Sequence, residues 1–273
     1  MAENSKIGWT HHTWNLWTGC AKVSAGCLHC YAEGWAKRTG RQVWGPKGAR
    51  RRTTSANWRR VHKWNREAQE AGERRRVFVG SLMDWAEGKK EQETILADYW
   101  AIVRECEHLD FLMLTKRPQN ISQLLPDDWS EWSNGYPNVW LMTSIEDSIS
   151  KDAHLQASVI QRAELLLAIP AVVHGVSYEP AIGPLATALE PFLDSHHPLN
   201  DITWVIYGGE SGPGWRAEDK QWARDMRDAC ATYGAAFFHK QSAAYRNETG
   251  PELDGEIIQE YPSPRKTKKA GRS

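Results

Sequence analysis

Seven short apolar runs recur along the chain, most of them separated by a stretch long enough for a helix. The runs alternate little between apolar and polar positions, which is typical of strands covered on both faces. Three stretches between them, 91–109, 150–169 and 218–233, carry apolar residues at helical spacing. Because parallel strands need such crossovers, the alternation predicts an α/β fold with about seven mostly parallel strands and surrounding helices. The predicted strands are HTWNLW at 12–17, VFVGSL at 77–82, FLMLTK at 111–116, VWLMTSI at 139–145, VVHGVSYEP from 172, TWVIYGGE from 203 and AAFFHKQ from 235.

Polar residues end almost every predicted strand, as in SLMDWAE, LTKRP, TSIED, SYEP, GGES and HKQ. In α/β barrels the active site forms at the carboxyl ends of the strands, whereas a doubly wound sheet uses fewer of these ends. The pattern therefore favours a complete or partial TIM-like barrel. We expect one barrel domain over 1–242 and a C-terminal extension over 243–273, with a basic, Pro/Gly/Ser-rich tail that is disordered.

Three cysteines, Cys20, Cys27 and Cys30, fall within eleven residues. Thiolates this close in sequence reach one metal centre, whereas a disulfide among three thiols would leave one over. Zinc would need a fourth protein ligand, and His11 or His12 could supply it. An iron–sulfur cubane on three cysteines instead keeps one iron open for a substrate or cofactor.

The other two cysteines, Cys106 and Cys230, lie in helical stretches and are expected to be buried core thiols. The cysteine usage and the lack of a basic and apolar leader predict a reducing cytoplasm. No apolar run approaches transmembrane length, so no membrane contact is expected.

A basic, tryptophan-containing segment spans 44–66, although the charge of the whole chain is balanced at 34 Lys and Arg against 34 Asp and Glu. It holds eight Lys or Arg residues without an acid, together with Trp44, Trp58 and Trp64. Basic groups neutralise phosphates and indoles stack on bases, so DNA or RNA could bind here. A solvated helix face with core tryptophans fits the same pattern.

The motifs HTWNLWTGCAKVSAGCLHCYAE, GSLMDW, LTKRP, SIED, SYEP, GGESGPGWRAED and FFHKQ occur in this order over about residues 5–242. Together they resemble a phage-associated family of unknown function whose members look like radical S-adenosylmethionine (radical SAM) proteins. The radical SAM superfamily usually shows C-x3-C-x2-C, whereas this chain has C-x6-C-x2-C. The longer first spacing still lets three sulfurs converge on a cubane.

The resemblance implies a [4Fe-4S] cluster on the three cysteines, with S-adenosylmethionine on the open iron. Reduction by an electron donor would cleave S-adenosylmethionine to methionine and a 5'-deoxyadenosyl radical, which abstracts hydrogen from an unknown small-molecule or nucleic-acid substrate. His29 stands where the superfamily often has an aromatic residue near the adenine, although a zinc ligand or an exposed loop histidine is the alternative.

The strand-end positions supply the other expected ligand contacts. Ser81, Ser144, Gly208, Gly209 and Glu210 are assigned to the cofactor, with pairing to Arg216 as the simpler alternative for Glu210. The catalytic candidates are Lys116, Glu179 and Lys240, and the Lys116–Arg117 pair suits a carboxylate or a phosphate. Asp84, Thr115, Glu146 and Gln241 also end strands and are expected at the same mouth.

Two functions follow from these features. The first is a radical SAM enzyme, whose substrate could be nucleic acid held on 44–66. The alternative is a zinc-stabilised, nucleic-acid-binding barrel protein without catalysis, with zinc on the three cysteines and a nearby histidine.

Overall fold

Seven parallel strands form one sheet that curls into a half-barrel. The computed structural model describes residues 2–194, 201–246 and 250–270. Each strand pairs with its neighbours in chain order, which confirms the predicted partial TIM-like barrel. The strands are β1 (His12–Trp14), β2 (Arg75–Val79), β3 (Leu109–Thr115), β4 (Val139–Ser144), β5 (His174–Ala181), β6 (Trp204–Gly209) and β7 (Ala236–Gln241).

Helices cover the outer face of this sheet. Two 3-10 segments, Pro118–Gln123 and Asp127–Glu131, take the place of an α-helix between β3 and β4. None of the helices in the described part of the chain is long and apolar enough to cross a membrane. The helices are α1 (Tyr31–Arg38), α2 (Ser55–Glu70), α3 (Glu93–Glu105), α4 (Gln161–Leu167), α5 (Ala186–Leu193) and α6 (Lys220–Tyr233).

The strands are apolar because both of their faces are buried. On β6, Val205 and Tyr207 pack outward into the cluster shared with the helices, whereas Trp204 and Ile206 pack into the inner cluster. The two-residue period of a strand places alternate side chains on opposite faces. Trp9 and Phe78 of the inner cluster also line a cavity at the carboxyl ends of the strands.

The helix predicted over 150–169 is confirmed only in its second half. Lys151–Asp152 pairs with Ala157–Ser158 in a short antiparallel ladder, and the helix occupies Gln161–Leu167. Asp152 explains the difference, because its carboxylate accepts the backbone N–H groups of the following turn and the guanidinium of Arg162. Aspartate that bonds its own backbone in this way favours a turn over a helix.

Two of the three tryptophans of the basic segment belong to the core, whereas Trp44 is partly buried and lines the cavity described below. Trp58 and Trp64 lie on the buried face of α2. The nucleic-acid interpretation required indole rings that stack on bases, and these two rings are not available for that. Arg50 is buried and forms a two-bond ion pair with Glu87, 2.5 Å at each bond. Arg52 lies over the Trp58 ring and pairs with Asp98. The alternative interpretation, a solvated helix face with core tryptophans, therefore describes α2.

The C-terminal segment 250–270 packs against the barrel, contrary to the disordered tail expected from its composition. The Trp204 indole donates to the Glu260 carbonyl, and the Glu260 backbone N–H donates to the Phe237 carbonyl. Arg265 contacts Asp201 and the His174 ring. These partners come from the sheet, so the composition of the tail alone could not reveal them. The division at residue 242 stays a prediction.

Candidate active site at the carboxyl ends of the strands

A cavity of about 500 Å³ opens at the carboxyl ends of the parallel strands. Its lining includes all three clustered cysteines, as the sequence predicted for the mouth of a barrel. Apolar side chains and polar strand ends share the wall, which suits a ligand with both kinds of surface. The lining residues used below are Trp9, Cys20, Cys27, His29, Cys30, Tyr31, Phe78, Ser81, Asp84, Leu114, Thr115, Lys116, Arg117, Ser144, Ser177, Glu179, Gly209, Glu210 and Lys240.

The loop that carries the three cysteines, residues 19–30, is called the cysteine loop. This loop and the first residue of α1 are bound to several strand ends across the mouth. The Tyr31 hydroxyl donates to the Ser81 carbonyl after β2 at 2.6 Å, and Ser24 donates to Glu146 after β4 at 2.5 Å. Arg216, in the loop after β6, donates to the Ala25 carbonyl at 3.2 Å. The loop therefore lies over the cavity and presents its thiols to it.

Two of the clustered thiols have a hydrogen-bond donor close by. Arg117 Nη1 lies 3.7 Å from Cys20 Sγ, and backbone N–H groups lie near Cys30. Ser24 Oγ lies 4.0 Å from Cys27 Sγ, but its hydrogen is donated to Glu146. Burial raises the pKa of the Cys30 thiol, and backbone N–H groups in the first turn of α1 oppose that rise. Burial likewise raises the pKa of Cys20 to about 12, against the charge of Arg117. Donors around sulfur are the surroundings that thiolate-bound metal centres use.

Asp84 connects the ends of β2 and β3 beneath Cys20. It accepts hydrogen bonds from Thr115 at 2.5 Å and from Arg117 at 2.6 Å, and all three side chains are buried. Arg117 also donates to the Ala21 carbonyl at 2.8 Å. The guanidinium is thus hydrogen-bonded on both sides. Arg117 is therefore not free to bind an anion, although the sequence suggested that the Lys116–Arg117 pair would bind a carboxylate or a phosphate.

Glu146 is the second buried junction of the site. Its carboxylate contacts Lys116 at 2.6 Å, Arg162 at 3.1 Å and Ser24 at 2.5 Å. Burial alone would raise the pKa of Glu146, but the charges of Lys116 and Arg162 lower it to about 2. A Cβ at Gly26 would come within 2.2 Å of the Glu146 side chain, so only glycine lets the cysteine loop pack here.

His29 lies beside Glu210 at the opposite side of the mouth. Its Nδ1 is 3.2 Å from Glu210 Oε2, and Arg216 binds the same carboxylate at 2.8 and 2.5 Å. Burial opposes ionisation of Glu210, but these hydrogen bonds hold its pKa below the usual value. The predicted alternative of a Glu210–Arg216 pair is therefore present, and the pair also orients His29.

Two glycines of β6 make room for groups from neighbouring elements. Gly208 does not line the cavity, and a Cβ there would lie 2.9 Å from the Glu179 carboxyl carbon. Gly209 lines the cavity, and a Cβ there would meet the Ala243 backbone at 2.1 Å. Glu179 on β5 forms an ion pair with Lys240 on β7, each with about a fifth to a quarter of its side chain exposed.

Three serines line the same cavity. Ser81 accepts a hydrogen bond from Asn15 at 2.7 Å, whereas the Ser144 and Ser177 hydroxyls have no hydrogen-bond partner among the described residues. Ser144 and Ser177 are register partners on β4 and β5. Ser177 was not among the residues predicted, although it stands two positions before Glu179 and so shares its face of the strand.

Of the histidines proposed as a fourth zinc ligand, His29 lines the cavity with the cysteines, whereas His11 and His12 lie elsewhere. His11 Nδ1 accepts the Arg76 backbone N–H, and the His12 ring stacks on Trp64 at 4.3 Å. Neither lines the cavity. Within the described ranges, no group of three or more His, Cys, Asp or Glu side chains is close enough to hold one metal ion. A tetrahedral zinc site requires four ligands around a single ion, whereas a cubane binds its cysteines through separate irons.

Three solved structures of spore photoproduct lyase share this fold. A cysteine-to-serine mutant aligns with a TM-score of 0.55 at 12% identity, and a tyrosine-to-phenylalanine mutant with 0.54 at 12%. The lyase complexed with dinucleoside spore photoproduct aligns with 0.53 at 13%. Each alignment covers 87% of this chain and 78% of the lyase chain. At these identities the likeness concerns the fold.

Among curated proteins, no sequence matches the chain significantly. Residues 4–272 match the family described as "Protein of unknown function (DUF5131)", a span that includes the cysteine loop, all seven strands and the packed C-terminal segment. The chain belongs to this family of unknown function.

Proposed function

We propose that this protein is a radical SAM enzyme that acts on a nucleic-acid-related substrate. The observation that carries the proposal is the convergence of Cys20, Cys27 and Cys30 on one cavity at the carboxyl ends of seven parallel strands. The motif resemblance supports the same chemistry. The lyase neighbours, one of them solved with a dinucleoside photoproduct, support the substrate class.

The three cysteines would hold a [4Fe-4S] cluster, and their surroundings fit it. Hydrogen-bond donors near the sulfurs stabilise negative charge on thiolates, and Arg117 adds a buried positive charge beside Cys20. When bound, the cluster and S-adenosylmethionine supply a 5'-deoxyadenosyl radical that abstracts hydrogen.

The residues of the chain would bind and orient the reactants. We assign S-adenosylmethionine to the wall formed by His29, Ser81, Ser144, Gly209 and Glu210, of which His29 is held in orientation by Glu210. Lys116, Glu179 and Lys240 remain the catalytic candidates. Lys240 Nζ shares a hydrogen bond with Glu179, so a proton can be held at that atom on the cavity side.

The test is formation of 5'-deoxyadenosine by anaerobically reconstituted protein with S-adenosylmethionine and dithionite. We expect the wild type to release 5'-deoxyadenosine and methionine in equal amounts, and the Cys20/Cys27/Cys30 triple alanine variant to release neither. A Cys106→Ala/Cys230→Ala variant is the matched control, because these two thiols are buried outside the cavity. A fully loaded wild type without cleavage would contradict the proposal.

A further inference from the structure

One polar part of the cavity wall is formed by residues of β5 and β7, the two neighbours of β6. Ser177 and Glu179 point to the same face of β5, and Lys240 comes from β7. Gly208 of β6 lies between them and has no side chain to fill the space beside Glu179. The register of β6 shifts after Tyr207 against both neighbours, an irregularity of the kind that re-aims side chains near active sites.

The Glu179–Lys240 pair makes this part of the cavity electrically neutral. The other cationic groups nearby, Lys116 and Arg117, are already paired with Glu146 and Asp84. A phosphate or carboxylate placed here would face the Glu179 carboxylate without a free cation to offset it. A cation would face Lys240 in the same way. A neutral ligand that both donates and accepts hydrogen bonds fits these groups best.

Ser177 carries a hydroxyl that no described residue satisfies. The residue is 3% exposed and lines the cavity. Its hydroxyl oxygen is not fully buried, so it is open to the cavity and available to form a hydrogen bond with a ligand there. Ser144, its register partner, is assigned above to S-adenosylmethionine, which leaves Ser177 for the substrate.

Lys240, Glu179 and Ser177 together offer a ligand one hydrogen-bond donor, one acceptor and a second donor. Lys240 Nζ donates only, the Glu179 carboxylate accepts only, and the Ser177 hydroxyl can donate. Their complement is a ligand edge that carries carbonyl, N–H and carbonyl in a row. The cavity also offers an apolar wall of Trp9, Phe78 and Leu114 for a flat ring.

We propose that Lys240, Glu179 and Ser177 recognise the imide edge of a thymine or uracil base. The inference rests on the proposed function and specifies its substrate as a pyrimidine with a free N3–H. The two carbonyl oxygens would accept from Lys240 and Ser177, and the N3–H would donate to Glu179. Neutrality of the pair is consistent with recognition of the base, with the phosphates of a longer substrate outside this subsite.

The test is equilibrium binding of thymidine and of N3-methylthymidine to the wild-type protein by calorimetry. The added methyl group removes the imide donor and clashes with its acceptor, so we expect binding to weaken at least about tenfold. Ser177→Ala and Lys240→Met should each weaken thymidine binding by about three- to tenfold. Lys63→Met is the matched control, since Lys63 on α2 also forms ion pairs, with Glu3 and Glu67, and does not line the cavity.

Equal affinity for the two nucleosides, or no thymidine binding by the wild type, would overturn the assignment. Iron content measured on the same samples separates this result from the proposed function. Selective thymidine binding by protein without iron would support the pyrimidine subsite and contradict the proposed radical SAM function. Iron loading without selective binding would support the proposed function and contradict the subsite.

Discussion

Glu146 links the cysteine loop to the barrel through three side chains. It lies between Lys116 and Arg162 and accepts from Ser24, all at hydrogen-bond distance. Breaking a buried ion pair by removing one charge leaves the other charge uncompensated, at a cost of about 3–5 kcal/mol. The residue therefore contributes to the stability of the fold as well as to the position of the loop.

We predict that Glu146→Gln lowers the free energy of unfolding by about 3 kcal/mol at pH 7. The pKa of Glu146 is about 2 in the folded protein, below its usual 4.5, so the stabilisation is complete above pH 4.5 and declines as the pH falls towards 2. The difference between wild type and variant should narrow over that range. Urea denaturation followed by tryptophan fluorescence measures it.

The control for this prediction is Glu164→Gln, which changes an exposed glutamate on α4. It should leave the free energy of unfolding within about 0.5 kcal/mol of the wild type, as surface substitutions usually do. A difference between wild type and Glu146→Gln that stays constant from pH 7 to pH 3 would contradict the assigned pKa.

At the scale of elements, the strands were predictable because each one carries a local signal. Both faces of the sheet are buried, so the apolar runs coincide with β2 to β7 to within about two residues at most of their ends. The first half of the predicted 150–169 helix was wrong because the Asp152 carboxylate binds Arg162, ten residues further on, and the backbone of its own turn. The spacing of apolar residues does not register such side-chain hydrogen bonds.

The residues of the candidate site could be predicted where they stand at strand ends or close together in the sequence. The three cysteines, Ser144, Glu179 and Lys240 all line the cavity as expected. Arg162 was missed because it comes from a helix that only folding brings under Glu146. The roles of Trp58 and Trp64 in the core depend on which face of α2 turns inward, and the basic composition around them obscured this.

The C-terminal segment is an element that stabilises the amino-terminal side of the sheet. Arg265 contacts Asp201 and His174, and its backbone N–H donates to the Val172 carbonyl. We predict that Arg265→Ala lowers the free energy of unfolding by about 2 kcal/mol, since hydrogen bonds to charged groups contribute about 1.5–3 kcal/mol.

Lys266→Ala is the control for Arg265→Ala. Lys266 is the neighbouring basic residue and its side chain is exposed, so little change in stability is expected. Thermal unfolding measured by circular dichroism compares the two variants with the wild type. Equal melting temperatures for all three proteins would show that the segment contributes nothing through Arg265.

At the scale of the whole molecule, the half-barrel gathers groups from the entire chain at one mouth. The cysteine loop comes from the first thirty residues, whereas Lys240 follows more than two hundred residues later. Parallel strands in chain order make this possible, because all of their carboxyl ends lie on one side of the sheet. The central claim is that the thiols gathered there hold iron and sulfide.

The most direct test is the iron, sulfide and zinc content of anaerobically purified protein, with its ultraviolet–visible spectrum. We predict a brown protein with about four irons and four sulfides per chain, broad absorbance near 400 nm, and loss of both in the Cys20/Cys27/Cys30 triple alanine variant. The Cys106→Ala/Cys230→Ala variant should keep the iron. Stoichiometric zinc without iron, lost in the triple variant, would contradict the account and favour a structural metal site.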